Sequence, residues 1–185
     1  MSSTSAPFGL RPAFSPAGIL RPTTAQVILT GYATGILQNQ PVKIGTDGSV
    51  QAAAIGDRFV GVFQGVEYTD TLGRRIVSNQ WVAGTVATAI VAYITMEPSI
   101  VYEIQSNAAL ALTDIGKQYD FTTISAGSTT TGLSQLMLDV ASSAANASLR
   151  VIGLAPYVNN AWDDTYVIAQ VQISEHQMVA DIAAF

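Results

Sequence analysis

Residues 58–82 read RFVGVFQGVEYTDTLGRRIVSNQWV. In an extended chain, side chains alternate between two faces. Phe59, Gly61, Phe63 and Gly65 then share one face of 58–68, and Val60, Val62, Gln64, Val66 and Tyr68 share the other. The two glycines predict a bulge or a close backbone approach inside the strand. Thr69-Asp70-Thr71-Leu72-Gly73 is turn chemistry, and residues 74–82 return as a second long strand. This is the clearest hairpin in the chain, and it sets the expectation of a β protein.

The flanking sequence repeats the theme. Residues 25–33, AQVILTGYA, form a short β-rich run. Residues 40–44 lead into Gly45-Thr46-Asp47-Gly48-Ser49, where Asp-Gly tolerates positive φ and predicts a hairpin with 49–53. Residues 85–94 are strand-like, and Glu97-Pro98 breaks them. In SIVYEIQ, residues 99–105, Val101, Glu103 and Gln105 alternate with Ile100, Tyr102 and Ile104. A short irregular piece is expected at 113–121, and polar or small-residue loops at 125–132 and 141–148. Residues 133–140 fit strand or helix by pattern alone. Strands are expected at 149–154, ending before Pro156, and at 166–174. Eight to ten strands with regular turn signals predict a jelly-roll-like sandwich or barrel. No repeat or linker divides residues 25–185, which are read as one β domain.

Residues 1–24 read differently. SAPFGLRPAFSPAG, residues 5–18, carries three prolines, two phenylalanines and one charge, Arg11, and Arg21-Pro22 follows. Proline excludes a helix here, and the stretch is not built as a strand. It is expected to be an extended proline-rich arm, with core formation independent of it.

Composition narrows the function classes. Charged residues are 11% of the chain against about 25% in typical soluble domains, while apolar residues are 49%. Such a surface suits a protein packed against neighbours. The net charge is −5 and only Lys43 and Lys117 are lysines, so nucleic-acid binding through phosphates has no footing. No run approaches the roughly 20 apolar residues of a membrane span, and no signal peptide is recognisable. There is no cysteine.

Catalytic patterns are missing. The single histidine, His176, beside Glu175, reads as structural. Asn159-Asn160 and Asp163-Asp164 make an oxygen-rich loop without the ligand order of a calcium site. Thr113-Asp114-Ile115-Gly116-Lys117 lacks the first glycine of a phosphate loop, since Ala111 stands there. Arg74-Arg75 reads as a solvated hairpin end. Ionisable groups are few and scattered, so the expectation is a structural or binding protein, not an enzyme, with no metal and no cofactor.

Several phrases together resemble one family. They are APFGLRPAFSPAG (6–18) with Arg21-Pro22, Gly31-Tyr32-Ala33, QPVKIGTDGSVQAAAIGDRFVGVFQGVEYTD (40–70), SNQW (78–81), PSIVYEIQ (98–105), AGSTTTGLSQ (126–135) and LRVIGLAPYVNNAWDD (149–164). The chain resembles head decoration, or cement, proteins of short-tailed bacteriophages over nearly its whole length. The resemblance implies an all-β protein on the outer surface of a virion head, made in the host cytoplasm. Its partner would be the major capsid protein, and it would be a homo-oligomer, with a trimer preferred over a dimer. The arm would then lie across a neighbouring subunit, with Phe8, Leu10, Arg11, Phe14 and Arg21 as contacts. The competing reading is a tail- or fibre-associated virion protein for host-surface adhesion, although no repeat or shaft-like segment is visible. A small hydrolase or sugar-binding jelly roll would need acidic or aromatic residues clustered in a cleft, and nothing pairs Trp81 with Trp162 in sequence.

Overall fold

The computed structural model describes residues 4–16, 18, 24–123 and 127–182. Among them the only helical element is a single 3₁₀ turn, and the rest of the regular structure is β. The first half supplies β1 (Arg11–Phe14), β2 (Thr24–Gln26), β3 (Ile36–Leu37), β4 (Pro41–Ile44), β5 (Val50–Ala52), β6 (Gly61–Thr69), β7 (Arg75–Ser78), β8 (Gln80–Trp81) and β9 (Thr88–Thr95). The second half supplies β10 (Val101–Gln105), the 3₁₀ turn Leu112–Asp114, β11 (Gln118–Phe121), β12 (Gly127–Ser128), β13 (Leu133–Ser134), β14 (Leu138–Ala144), β15 (Leu149–Leu154) and β16 (Ile168–Ile173).

Two six-stranded sheets dominate. One runs β2-β9-β6-β4-β5 with β7 also on β6, and the other runs β1-β10-β16-β15-β11-β14. β1 apart, each is built from one contiguous half of the chain. A jelly roll alternates successive strands between its two sheets, so that wiring is not the one found, although the all-β expectation holds. The first sheet curls: the Val50 N–H donates to the Val27 carbonyl at 2.8 Å, bringing edge strand β5 back beside the residue after β2.

The hairpin that opened the sequence reading is present. β6 pairs antiparallel with β7 from Val66↔Ser78 to Thr69↔Arg75. Its return strand is shorter than expected. After Ser78 the chain leaves β6, and Gln80–Trp81 pairs with β3 instead, because the Trp81 ring is buried under Tyr32 and Tyr68. The glycines act as expected. A Cβ on Gly61 would stand 1.5 Å from the Thr95 carbonyl oxygen, and the β6–β9 register shifts between Phe63 and Gly65. β6 and the two residues before it serve two cores, with Phe59 and Val62 in one and Val60, Phe63 and Val66 in the other.

The Asp47-Gly48 hairpin also forms, with Gly48 at φ 79° and Ile44 opposite Val50. In the second sheet, Tyr102, Ile104, Leu149, Val151, Ala169 and Val171 face the core. Glu103, Gln170, Arg150 and Gln172 occupy the alternate positions, as alternation requires. Residues 141–144, expected as loop, extend β14, and 127–134 fold as a tight β12–β13 pair.

The largest correction concerns residues 1–24. Arg11–Phe14 is a strand, paired antiparallel with β10 through Arg11↔Glu103 and Pro12↔Tyr102. Proline is tolerated because β1 is an edge strand, where a missing N–H breaks no ladder. Leu10 is fully buried in the core of the second sheet. Residues 10–14 therefore pack on the body.

Candidate interaction site

The N-terminal segment is fixed at three levels. Gly9 (φ 76°) crosses the backbone of residue 39, and a Cβ there would lie 2.6 Å from the Asn39 carbonyl oxygen and 2.8 Å from Ser134 Cβ. Only glycine fits. On either side of that crossing, the Asn39 amide donates to the Phe8 carbonyl at 3.1 Å and the Leu10 N–H donates to the Asn39 carbonyl at 2.9 Å. Leu10 then drops into the second core.

Arg11 points the other way, across the polar face of β10. Its guanidinium donates to Glu103 Oε2 at 2.5 Å and to the Tyr157 hydroxyl at 2.7 Å. That hydroxyl donates in turn to the same Glu103 oxygen at 2.8 Å. The bond to the Glu103 carboxylate, then burial, raises the Tyr157 hydroxyl above its usual range and keeps it a donor. The Arg11 guanidinium carbon also sits 4.5 Å from the centre of the Phe8 ring, a cation–π contact. Further out, the Ala6 N–H donates to Gln105 Oε1, and Gln105 Nε2 donates to the Thr4 carbonyl. Ala6, Phe8, Arg11, Gln105 and Tyr157 border a shallow pocket of about 310 Å³.

The residues expected as contacts thus separate. Leu10 is core, Phe8 is half-buried under Arg11, and Arg11 is held by its own chain. Phe14 projects, 43% exposed, at the outer edge of the sheet. Arg21 lies outside the described residues. Glu103 and Tyr157 were not anticipated. Glu103 stands at a polar position of an alternating strand, but the contact spans 92 residues and the Tyr157 contact 146, so nothing local announces either.

His176 is buried, at a parallel bridge with Phe59 that joins the two halves. Its Nδ1 accepts the Met178 N–H at 3.1 Å, which places the proton on Nε2, directed at the Val60 carbonyl at 2.8 Å. Burial holds the imidazole below its usual pKa, against the opposing carbonyls of Val60 and Met96. Asn160 ties its own loop, donating to the Ala155 and Ile168 carbonyls and accepting the Ile168 N–H. Arg74 pairs with Asp70 and Arg75 with Glu67 at the hairpin end. Among the described residues no group of three His, Asp or Glu side chains is placed to hold a metal.

The chain matches no protein-family model, no curated protein and no solved structure.

Proposed function

We propose that this protein is a capsid decoration protein: it binds the outside of a phage head and bridges neighbouring major capsid subunits, stabilising the shell. It acts as a homo-oligomer, with a trimer favoured, and it uses no cofactor and catalyses no reaction. The observation that carries the reading is the edge strand β1, with Phe14 displayed at the rim of the sheet on a segment whose other residues are fixed by Leu10, Gly9 and Arg11. A rigidly mounted apolar side chain loses little entropy on docking. Many symmetric copies, each touching more than one subunit, convert weak single contacts into tight binding. The family resemblance of the sequence points to the same role, and the low charge content suits a surface that is largely covered.

The test uses heads that lack the protein. Purified protein added to them is expected to co-sediment and to raise the temperature at which packaged DNA escapes, because each bridge raises the barrier to shell opening. Equal DNA-release curves for bare and decorated heads overturn the cement role. Antibody labelling that finds the protein on tails, not heads, moves the assignment to host-surface adhesion.

A further inference from the structure

Residues 22–42, 76–96 and 121–138 contain none of the chain's 8 basic and 13 acidic side chains, nor its histidine. The fold brings described parts of all three runs to one end of the molecule. The loops 27–33 and 82–87 lie side by side, with the Gly31 N–H donating to the Thr85 carbonyl and the Gly84 N–H to the Tyr32 carbonyl, both at 2.8 Å. Ile36 pairs with Trp81, and Gln38 bridges to Leu133. The Asn79 and Gln80 side chains donate to the carbonyls of Thr131 and Thr129. Between the runs is a cleft of about 400 Å³ whose walls include Leu37, Trp81, Val82, Ala83 and Thr129. Val82 of that wall, and Val27, Leu29 and Val86 on the paired loops, stand about half or more exposed, at 57%, 52%, 48% and 62%. Charge returns at its margins: within β6, Glu67 stands opposite Val91 and Val77 and pairs with Arg75. Asp47 tips the β4–β5 hairpin, whose Val50 bonds Val27, and the Asp70–Arg74 pair follows Thr69, the partner of Thr88. An apolar, uncharged centre with a charged rim is the anatomy of a protein interface.

We infer that this uncharged face is where a second copy of this chain docks. The occupant follows from charge. The chain carries −5, so two copies meeting through their acidic surfaces set carboxylates against carboxylates, which costs several kcal/mol for close like-charge contacts. A basic partner would be drawn to the acidic surfaces. Contact through this uncharged end is one that an acidic chain makes with itself without that penalty. The inference rests on the homo-oligomer part of the proposed function and not on head binding.

Sedimentation of the full chain in solution, without heads, tests it. Wild type is expected to associate at micromolar concentration, with little change or slight tightening between low and high salt, since screening relieves only the net repulsion. Val86→Glu and Leu29→Glu, both at exposed positions, should each keep the wild-type melting temperature and weaken association by about tenfold or more. Val158→Glu, fully exposed outside the three runs, should not. Mixing Val86→Glu with Val86→Lys should restore association, the signature of like faces meeting. If wild type associates and neither the Val86 nor the Leu29 variant weakens it, this face is not the contact, though the oligomer stands. Association that weakens steeply with salt also overturns it. If wild type stays monomeric to about 100 µM, a self-contact too weak to matter, both the face and the oligomer fall, and another partner covers this end.

Discussion

The two sheets hold their cores differently. The first core is filled entirely from residues 28–96: Ile28, Ile36, Val42, Val50, Phe63, Trp81 and Ile94, with Tyr32 and Met96 at its margin. The second is not self-sufficient. Beside its own Ile100, Tyr102, Phe121, Leu149 and Val171, it takes Leu10 from the N-terminal segment and Ala53, Phe59 and Val62 from the first half. Contiguity in sequence therefore does not mean independence. The first half can close on itself through the Val50–Val27 contact, whereas the second sheet is completed from outside.

That asymmetry can be broken most sharply at Phe59 and Trp81. Both are buried, and either change to alanine is expected to remove about 3–5 kcal/mol. Their reach should differ. Phe59 packs edge-on against Phe121, ring centres 5.9 Å apart, so Phe59→Ala should speed hydrogen exchange in β10, β11 and β16 as well as near residue 59. Trp81 packs against Tyr68 at 5.7 Å, and Trp81→Ala should loosen the first half first. Equal exchange changes across both halves for both variants would mean the cores are one cooperative unit.

Leu10 is the import from the N-terminal segment. Leu10→Ala is expected to cost about 2–5 kcal/mol, depending on how far the site collapses. Chemical denaturation measures it. A change under about 0.5 kcal/mol, typical of a surface site, would mean that the N-terminal segment is only laid on the body.

Parts of this arrangement were legible and parts were not. Asp47-Gly48 specified its hairpin because one backbone position there needs positive φ, a demand local to a few residues. The glycines of 61–65 announced a close approach, though not that Thr95 would make it. Residues 11–14 read as an arm because Pro12 breaks strand patterns, and the edge position that makes Pro12 harmless is a property of the sheet. Trp81 looked like the end of one long strand, and its burial beneath Tyr32 pulled it into another pairing. The Arg11–Glu103–Tyr157 cluster joins three distant segments and left no local trace.

The seam between the halves should respond to acid. The folded imidazole of His176 takes up a proton less readily than the unfolded one, whose pKa is about 6.5. The unfolded chain therefore binds the proton first as pH falls. This contribution to stability is full above about 6.5 and is lost as pH drops toward the lower folded value. Protonation would also put a hydrogen on Nδ1, which now accepts from Met178. Glu175 acts oppositely at lower pH. Burial, then the charges of Asp181 and Asp120, raise its pKa, so the folded state there gains its proton early. Denaturation midpoints should fall as pH drops below about 6.5, with a flatter profile for His176→Gln. A wild-type profile flat below about pH 6.5 would remove His176 from the seam's energetics.

The smallest effect on stability is expected four residues beyond Leu10. Phe14 is 43% exposed on the outermost strand, and its ring joins neither core. Phe14→Ala should therefore leave the unfolding free energy within about 0.5 kcal/mol of wild type. Its effect on head binding should be larger. Phe14 has 43% of its surface left to cover, so docking gains roughly half of the about 1.5–3 kcal/mol of a fully buried ring, which corresponds to roughly a threefold to tenfold loss of affinity per contact. Bridging copies multiply that loss, so decoration should fail at concentrations where wild type saturates. Binding isotherms on bare heads, read beside denaturation curves for the same two proteins, separate the roles. A variant that decorates normally but unfolds early would return Phe14 to the protein's own fold and leave β1 a structural strand. A variant that folds normally and no longer binds would assign the two ends of one short segment to opposite tasks, Leu10 closing the core and Phe14 reaching the shell.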